Sequence, residues 1–233
     1  MKNQYSELNE LGWNDWFAQR ANCKSTESVA RVAAVDRDQL LLVDQSGHFR
    51  AKLAGRYLHH HHLNQELPCV GDWVCVEKQS GDDFGVIHTL LERRTSLRRK
   101  SAGNIMEYQM IAANADYVLI VQSCHFDFNS NRLERYLVMV LEGGAEPIVV
   151  LTKTDLVAPE VLATQLAEIQ AAGITAPIVP LSNVTQDGLD EVKRLLLPGK
   201  TYCFVGSSGV GKSMLVNLLV GRERMETRSV SGT

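Results

Sequence analysis

The first part of the chain carries five short runs rich in apolar and β-branched residues, at residues 29–35, 40–43, 49–53, 73–77 and 86–91. Turn-forming clusters separate them, at Asp36-Arg37-Asp38, Ser46-Gly47 and Ser80-Gly81-Asp82-Asp83. Five runs of that size and spacing predict a small β-barrel, with the oligonucleotide-binding (OB) type as the natural candidate. Ahead of them, Leu8, Leu11, Trp16 and Phe17 recur at helical spacing and predict an amphipathic helix that caps the next domain. The pattern then changes. Strand-like runs at 117–121, 147–151, 177–181 and 201–205, the second of them unbroken in its apolar character, alternate with stretches of period 3.6. One such stretch covers 132–141, with Leu133, Leu137, Val140 and Leu141 on one face and Gly143-Gly144 as its stop. Another covers 161–172 through Leu162, Leu166 and Ile169, begun by Pro159 and ended by Gly173. A third begins near Asp187, the expected N-cap, and a fourth runs through Met214, Leu215, Leu218 and Leu219 to Gly221, the expected C-cap. Alternating strand and helix predicts a mostly parallel sheet covered on both faces. The expected organisation is an N-terminal extension over 1–28, a barrel over 29–97, a basic linker over 98–110 and an α/β domain over 111–233.

Two loops carry candidate chemistry. Gly206-Ser207-Ser208-Gly209-Val210-Gly211-Lys212-Ser213 follows a strand-like run and opens the helix at Met214, which is the setting of a phosphate-binding loop. Its glycines let backbone N–H groups face the phosphates, the helix N-terminus favours an anion, Lys212 neutralises charge and stabilises the phosphates catalytically, and Ser213 ligates Mg2+. The run at 147–151 delivers Thr152-Lys153-Thr154-Asp155 at its carboxyl end. A carboxylate there accepts hydrogen bonds from guanine N1–H and the exocyclic amine, a donor pair that adenine lacks. Asn is usual where Thr152 stands; a hydroxyl still bonds locally. Lys153 lays its aliphatic stem over the base. The run at 177–181 leads to Ser182-Asn183, where the backbone N–H after the serine reaches guanine O6. The base loop precedes the phosphate loop, the reverse of an ordinary GTPase, so the expected topology is permuted.

With these motifs the chain resembles the ribosome small-subunit-dependent GTPase A family of circularly permuted GTPases. The resembling text is Asn129-Ser130-Asn131-Arg132-Leu133-Glu134-Arg135-Tyr136-Leu137, residues 147–156, 181–192 and 206–213, and Ser231-Gly232-Thr233. The resemblance implies an OB-type barrel, a permuted GTPase core using GTP, GDP and Mg2+, ribosome-stimulated hydrolysis in late maturation of the small ribosomal subunit, contact with its rRNA, and a C-terminal Zn2+-binding appendage. The zinc ligands have no counterparts in these residues. Nor does a switch threonine or an Asp-x-x-Gly loop follow Ser213, so the stretch is expected to be part of a longer chain or to lack an ordered end, and to bind nucleotide more readily than it hydrolyses it. The water-positioning residue is unassigned, and Thr233 is not claimed as the switch. Asp44 to Gly47 and Asp82 to Gly85 repeat the Asp-x-x-Gly string, but between strands, and read as hairpin turns.

Composition narrows the partners. With 233 residues, 45% hydrophobic content, net charge −3 and a pI near 6.2, the chain has room for two cores and no global basic field. RNA contact must then come from a local patch, and Arg93, Arg94, Arg98, Arg99 and Lys100 form the densest one. Cys23, Cys69, Cys75, Cys124 and Cys203 show no C-x-x-C spacing and read as reduced, as in a cytoplasmic protein. His59 to His62 read as a solvated loop. No apolar run is long enough to span a membrane, and a monomer without DNA or membrane partners is expected. Two other readings stay open from sequence: a phosphate-loop ATPase or kinase, and a non-catalytic RNA-binding module whose nucleotide site is structural.

Overall fold

The computed structural model describes residues 6–37, 39–60, 63, 65–78, 84–100, 108–126, 128–223 and 225. They pack as two compact units, one of the described residues up to Asp116 together with Pro198–Thr201, the other of Tyr117–Leu197 and the described residues from Tyr202 onward.

In the first unit, β1 (Ser28–Val35), β2 (Leu40–Asp44), β3 (Gly47–Leu53), β4 (Trp73–Lys78) and β5 (Phe84–Leu90) close into a barrel in the order β1-β2-β3-β5-β4. β1 is antiparallel to both β2 and β4, and the closure between β3 and β5 is parallel. Alternation along the strands sends Val32, Leu42, Phe49, Ala51, Val76 and Ile87 into one buried cluster. The Asp44 to Gly47 string is the β2–β3 turn: the Ser46 N–H donates to Asp44 Oδ1 at 2.8 Å and Gly47 takes φ +119°. Residues 79–83, which hold the other turn and the start of the second string, lie outside the described residues.

Four expectations change. The single N-terminal helix is a 3-10 turn over Ser6–Leu11 and a four-residue helix α1 (Asp15–Ala18), because Gly12 at φ +90° breaks it and Asn14 starts a new turn by accepting from the Trp16 N–H. The apolar spacing was read correctly nonetheless, since Leu8 and Phe17, with Trp13, pack on Val29, Trp73 and Leu91. Trp13 meets Trp73 edge-on at 4.8 Å between ring centroids. Cys23 and Cys75, 52 positions apart, are joined in a disulfide, so the all-reduced reading fails for this pair, whose approach only the folded barrel creates. Cys69, Cys124 and Cys203 are free thiols, and burial pushes the Cys69 thiol up to about 12. His59 and His60 end a helix, α2 (Gly55–His60), while His61 and His62 lie outside the described residues. Finally, the basic stretch expected as a linker holds strand: β6 (Ser96–Lys100) pairs antiparallel with β7 (Tyr108–Ala113).

The second unit is a four-stranded parallel sheet in the order β10-β9-β8-β11, built from β8 (Tyr117–Ser123), β9 (Glu146–Thr152), β10 (Ile178–Pro180) and β11 (Tyr202–Val205). Between and after them come α3 (Ser130–Glu142), α4 (Pro159–Ala171), α5 (Leu189–Leu195) and α6 (Lys212–Val220). β8 and β9 are buried along almost their whole length, as the unbroken apolar runs require. Asn129 caps α3 through the Arg132 N–H, and Leu133, Leu137 and Val140 face inward, but Leu141 is 62% exposed and leaves the predicted face. Asp187 is not the cap of α5. Gly188 holds that position at φ +81°, and the Asp187 carboxylate accepts the Thr185 hydroxyl instead. An added Cβ at Gly188 would stand 2.1 Å from the Pro180 carbonyl oxygen, so only glycine fits the turn. Among the described residues no helix is long and apolar enough to cross a membrane.

Asp116 holds the return of the chain at Pro198–Thr201 to the first unit. Burial alone would raise its pKa, but the Thr201 N–H, Arg94 and Lys200 all donate to the carboxylate and hold it below its ordinary value of 3.8. A depressed carboxylate adds stability above its unfolded pKa and loses that stability as pH falls through the folded one. Asp116→Asn is therefore expected to cost about 1.5–3 kcal/mol at neutral pH, with the gap to wild type closing on acidification; urea unfolding at stepped pH measures it, and a gap unchanged in acid counts against the assignment.

Candidate functional site

β11 ends at Val205 and the chain turns at Gly206, which takes φ +142° and passes so close to β8 that an added Cβ would lie 2.1 Å from the Val121 carbonyl oxygen. Gly209 and Gly211 also take positive φ, at +77° and +97°. The loop thus winds round the N-terminus of α6, and no backbone N–H from Ser207 to Met214 meets an acceptor among the described residues. A run of unpaired main-chain donors at a helix N-terminus is a nest for an anion. Lys212 arches over the same turn, its ammonium donating to the carbonyls of Gly206 (2.8 Å) and Ser207, and burial lowers its pKa. Ser213 sits half-buried on the first turn of α6, while Ser208 and Met214 face solvent.

The loop after β9 is tied to this turn directly. Thr152 is fully buried, and its hydroxyl donates to the Val210 carbonyl at 2.6 Å. Asn183 adds a second tether, Nδ2 to the Gly211 carbonyl at 3.1 Å, and an added Cβ at Gly211 would come within 2.5 Å of that nitrogen. Lys153 adopts a left-handed backbone at φ 61°, a conformation that costs a non-glycine residue about 1–3 kcal/mol. Asp155 then meets the next loop: the Ser182 hydroxyl donates to its Oδ1 at 2.6 Å and itself accepts from the N–H groups of Val184 and Thr185. Oδ2 and the Asn183 N–H have no partner among the described residues. Thr154 opens the short 3-10 turn Thr154–Leu156 that presents Asp155.

Hydrogen bonds thus join the three loops at the carboxyl ends of β9, β10 and β11, Thr152 and Asn183 reaching the loop before α6 and Ser182 reaching Asp155. The basic residues divide. Arg93 donates through Nε and Nη2 to the buried Asp72 at 2.8 Å each, and Arg94 pairs with Asp116, so both serve the interior of the first unit. Arg98, Arg99 and Lys100 stay exposed on β6, Arg98 over the Tyr108 ring at 4.4 Å and Arg99 on Gln109. One neighbour of the phosphate loop escaped the sequence reading: the Arg132 guanidinium, from the first turn of α3, donates to the Ser207 hydroxyl. Nothing in its local pattern marks it, since it reads as an ordinary helix-start residue.

Over residues 90–233 the sequence matches the family described as RsgA GTPase. The small ribosomal subunit biogenesis GTPase RsgA of Opitutus terrae is 38% identical across 234 aligned residues, covering 96% of this chain and 63% of that protein. RsgA of Syntrophotalea carbinolica gives the same identity and coverage, so the chain spans about 63% of the length of these curated relatives. Among solved structures, YjeQ from Thermotoga maritima aligns with a TM-score of 0.67 at 26% identity, over 87% of this chain and 67% of that one. YloQ, described as a circularly permuted GTPase, shares the fold with a TM-score of 0.61 at 24% identity, over 85% of this chain and 66% of its own. Barrel, permuted loop order and a match that covers more than half the residues agree, and the chain belongs to the RsgA GTPase family.

Proposed function

We propose that this chain is the nucleotide-binding part of a GTPase that acts in maturation of the small ribosomal subunit. The observation that supports the nucleotide reading is the pair of tethers, Thr152 to Val210 and Asn183 to Gly211, which join the loop before α6 to the loops that carry Asp155 and Asn183. In this reading the free N–H groups from Ser207 to Met214, with Gly206, Gly209 and Gly211 permitting the turn, receive the phosphates. Lys212 leaves its carbonyls to neutralise the β- and γ-phosphates. The Ser213 hydroxyl, a hard oxygen donor, suits Mg2+ shared with phosphate oxygens, and the run of unpaired donors beside it fits that group. Bound Mg2+ supplies charge neutralisation during phosphoryl transfer.

Asp155 accepts from guanine N1–H and the exocyclic amine, with Ser182 fixing the carboxylate, while the Asn183 N–H donates to O6 and the Lys153 stem covers the base. No residue is assigned to place the attacking water. The small-subunit partner is supported by the names of the relatives at 38% identity. Contact with rRNA is supported by the exposed Arg98, Arg99 and Lys100, because neutralised phosphates supply sequence-independent affinity. Action as a monomer in the cytoplasm follows from the same reading.

Calorimetry with GTP, GDP, ATP and XTP tests the base. Wild type is expected to prefer GTP over ATP, and Asp155→Asn to lose GTP affinity by about 1.5–3 kcal/mol for each charge-assisted bond removed. The same variant is expected to gain XTP, whose C2 carbonyl accepts from the new amide; equal losses for GTP and ATP would instead favour the ATPase or kinase reading. Thr152→Val keeps the shape of the side chain but strands the Val210 carbonyl, so a loss of about 1–3 kcal/mol in stability is expected, together with weaker GTP binding; unaltered affinity for GTP would show the tether to be dispensable. Replacing Arg98, Arg99 and Lys100 together by Ala is expected to weaken binding to small subunits and flatten its dependence on salt. Sedimentation binding assays at several ionic strengths read this out, and an unchanged slope removes β6 from the RNA contact.

A further inference from the structure

We propose that Cys23, Cys75 and Glu27 form a binding site for a soft divalent cation of the zinc type when both thiols are reduced, so that disulfide and metal are alternative states of one site. The two sulfurs and a Glu27 carboxylate oxygen lie within 4.8 Å of one another. Cys75 stands on β4 with no exposure, and the Glu27 side chain is only 2% exposed. A carboxylate so deeply buried needs partners, yet among the described residues Glu27 has one N–H from Lys24 at 3.0 Å and the largely exposed Lys24 ammonium at 3.8 Å. A disulfide offers the carboxylate no positive charge. A cation held by the two sulfurs does.

The donor set is of the right kind. Two thiolates and a carboxylate are zinc ligands, and three protein ligands leave a fourth tetrahedral position for water. Tetrahedral geometry with sulfur at about 2.3 Å from the metal sets the two sulfurs about 3.8 Å apart, which asks for a small outward shift of Cys23. That residue lies between α1 and β1, outside helix and strand, where such a shift meets little resistance. The chemistry balances as follows. A dithiol reductant gives two electrons and two protons to the Cys23–Cys75 bond and is itself oxidised to a disulfide, leaving two thiols. The divalent cation then displaces both thiol protons and binds two thiolates and the Glu27 carboxylate. In either state the segment that carries Leu8, Trp13 and Phe17 stays fastened to the barrel. This site is separate from the C-terminal zinc region that the family resemblance implies, and it does not depend on the nucleotide reading.

The test uses the full chain, reduced with a dithiol, freed of reductant without oxygen and titrated with Co2+ as a coloured stand-in. One equivalent is expected to bind with the near-ultraviolet absorption of cobalt–thiolate charge transfer, to release protons, and to be displaced by Zn2+. Cys23→Ser is expected to abolish that absorption, and Glu27→Gln to weaken binding about tenfold or more. The oxidised chain is expected to show none until the dithiol is added. Cobalt on His59 or His60 gives no sulfur band. No band in the reduced wild type, or the same band in Cys23→Ser or in the oxidised chain, overturns the proposal. Undiminished affinity in Glu27→Gln also overturns it, by removing the carboxylate from the ligand set. Cys23 is only half-buried, so its variant remains informative even where Cys75→Ser fails to fold.

Discussion

The hydrogen bond from the Thr152 hydroxyl to the Val210 carbonyl fixes how far the end of β9 stands from the loop before α6. Both groups are buried, so leaving either unpaired costs about 1–3 kcal/mol, and the arrangement has little room to drift. Asn183 repeats the constraint one residue further along the loop, on the Gly211 carbonyl. Two carbonyls of one turn are thereby held from the two loops that follow β9 and β10. Such a junction couples the loops mechanically, because any shift of one moves the acceptors or donors of the other.

The strands of both units were legible because each kind of burial writes its own pattern. Barrel strands mix buried with half-buried or exposed positions, whereas the middle of β8 and of β9 is apolar without a break because the sheet is buried there. The tight turn before α6 was legible for a different reason: its glycines are demanded by backbone geometry, as the crowding of Gly206 against Val121 makes plain. What escaped was contact between residues remote in sequence. The place of Thr152 looked like a defect in the base motif until its hydroxyl was seen bonded 58 positions away. The Cys23–Cys75 pair, the Arg132–Ser207 contact and the diversion of Arg93 and Arg94 into ion pairs share that origin.

Helix boundaries failed where a short-range conflict beat periodicity. The N-terminal segment has the spacing of one helix but contains Gly12, whose left-handed backbone ends the turn and is followed by Trp13 packed edge-on against Trp73. The start of α5 shows the converse. Asp187 has the chemistry of a cap, yet the approach of Gly188 to Pro180 leaves the capping position to the residue without a side chain. Charge runs mislead in a similar way, since an arginine beside a buried aspartate is indistinguishable in sequence from one that awaits a phosphate.

The unpaired amides between Ser207 and Met214 belong to the main chain, which mutation leaves in place. Side chains at Ser208 or Met214, both turned to solvent, can vary while the charge-sensing surface keeps its form. A single methyl at Gly206 cannot be accommodated unless β8 itself yields. The path of the main chain here is therefore tolerant of change at those exposed positions and intolerant of one added carbon at Gly206.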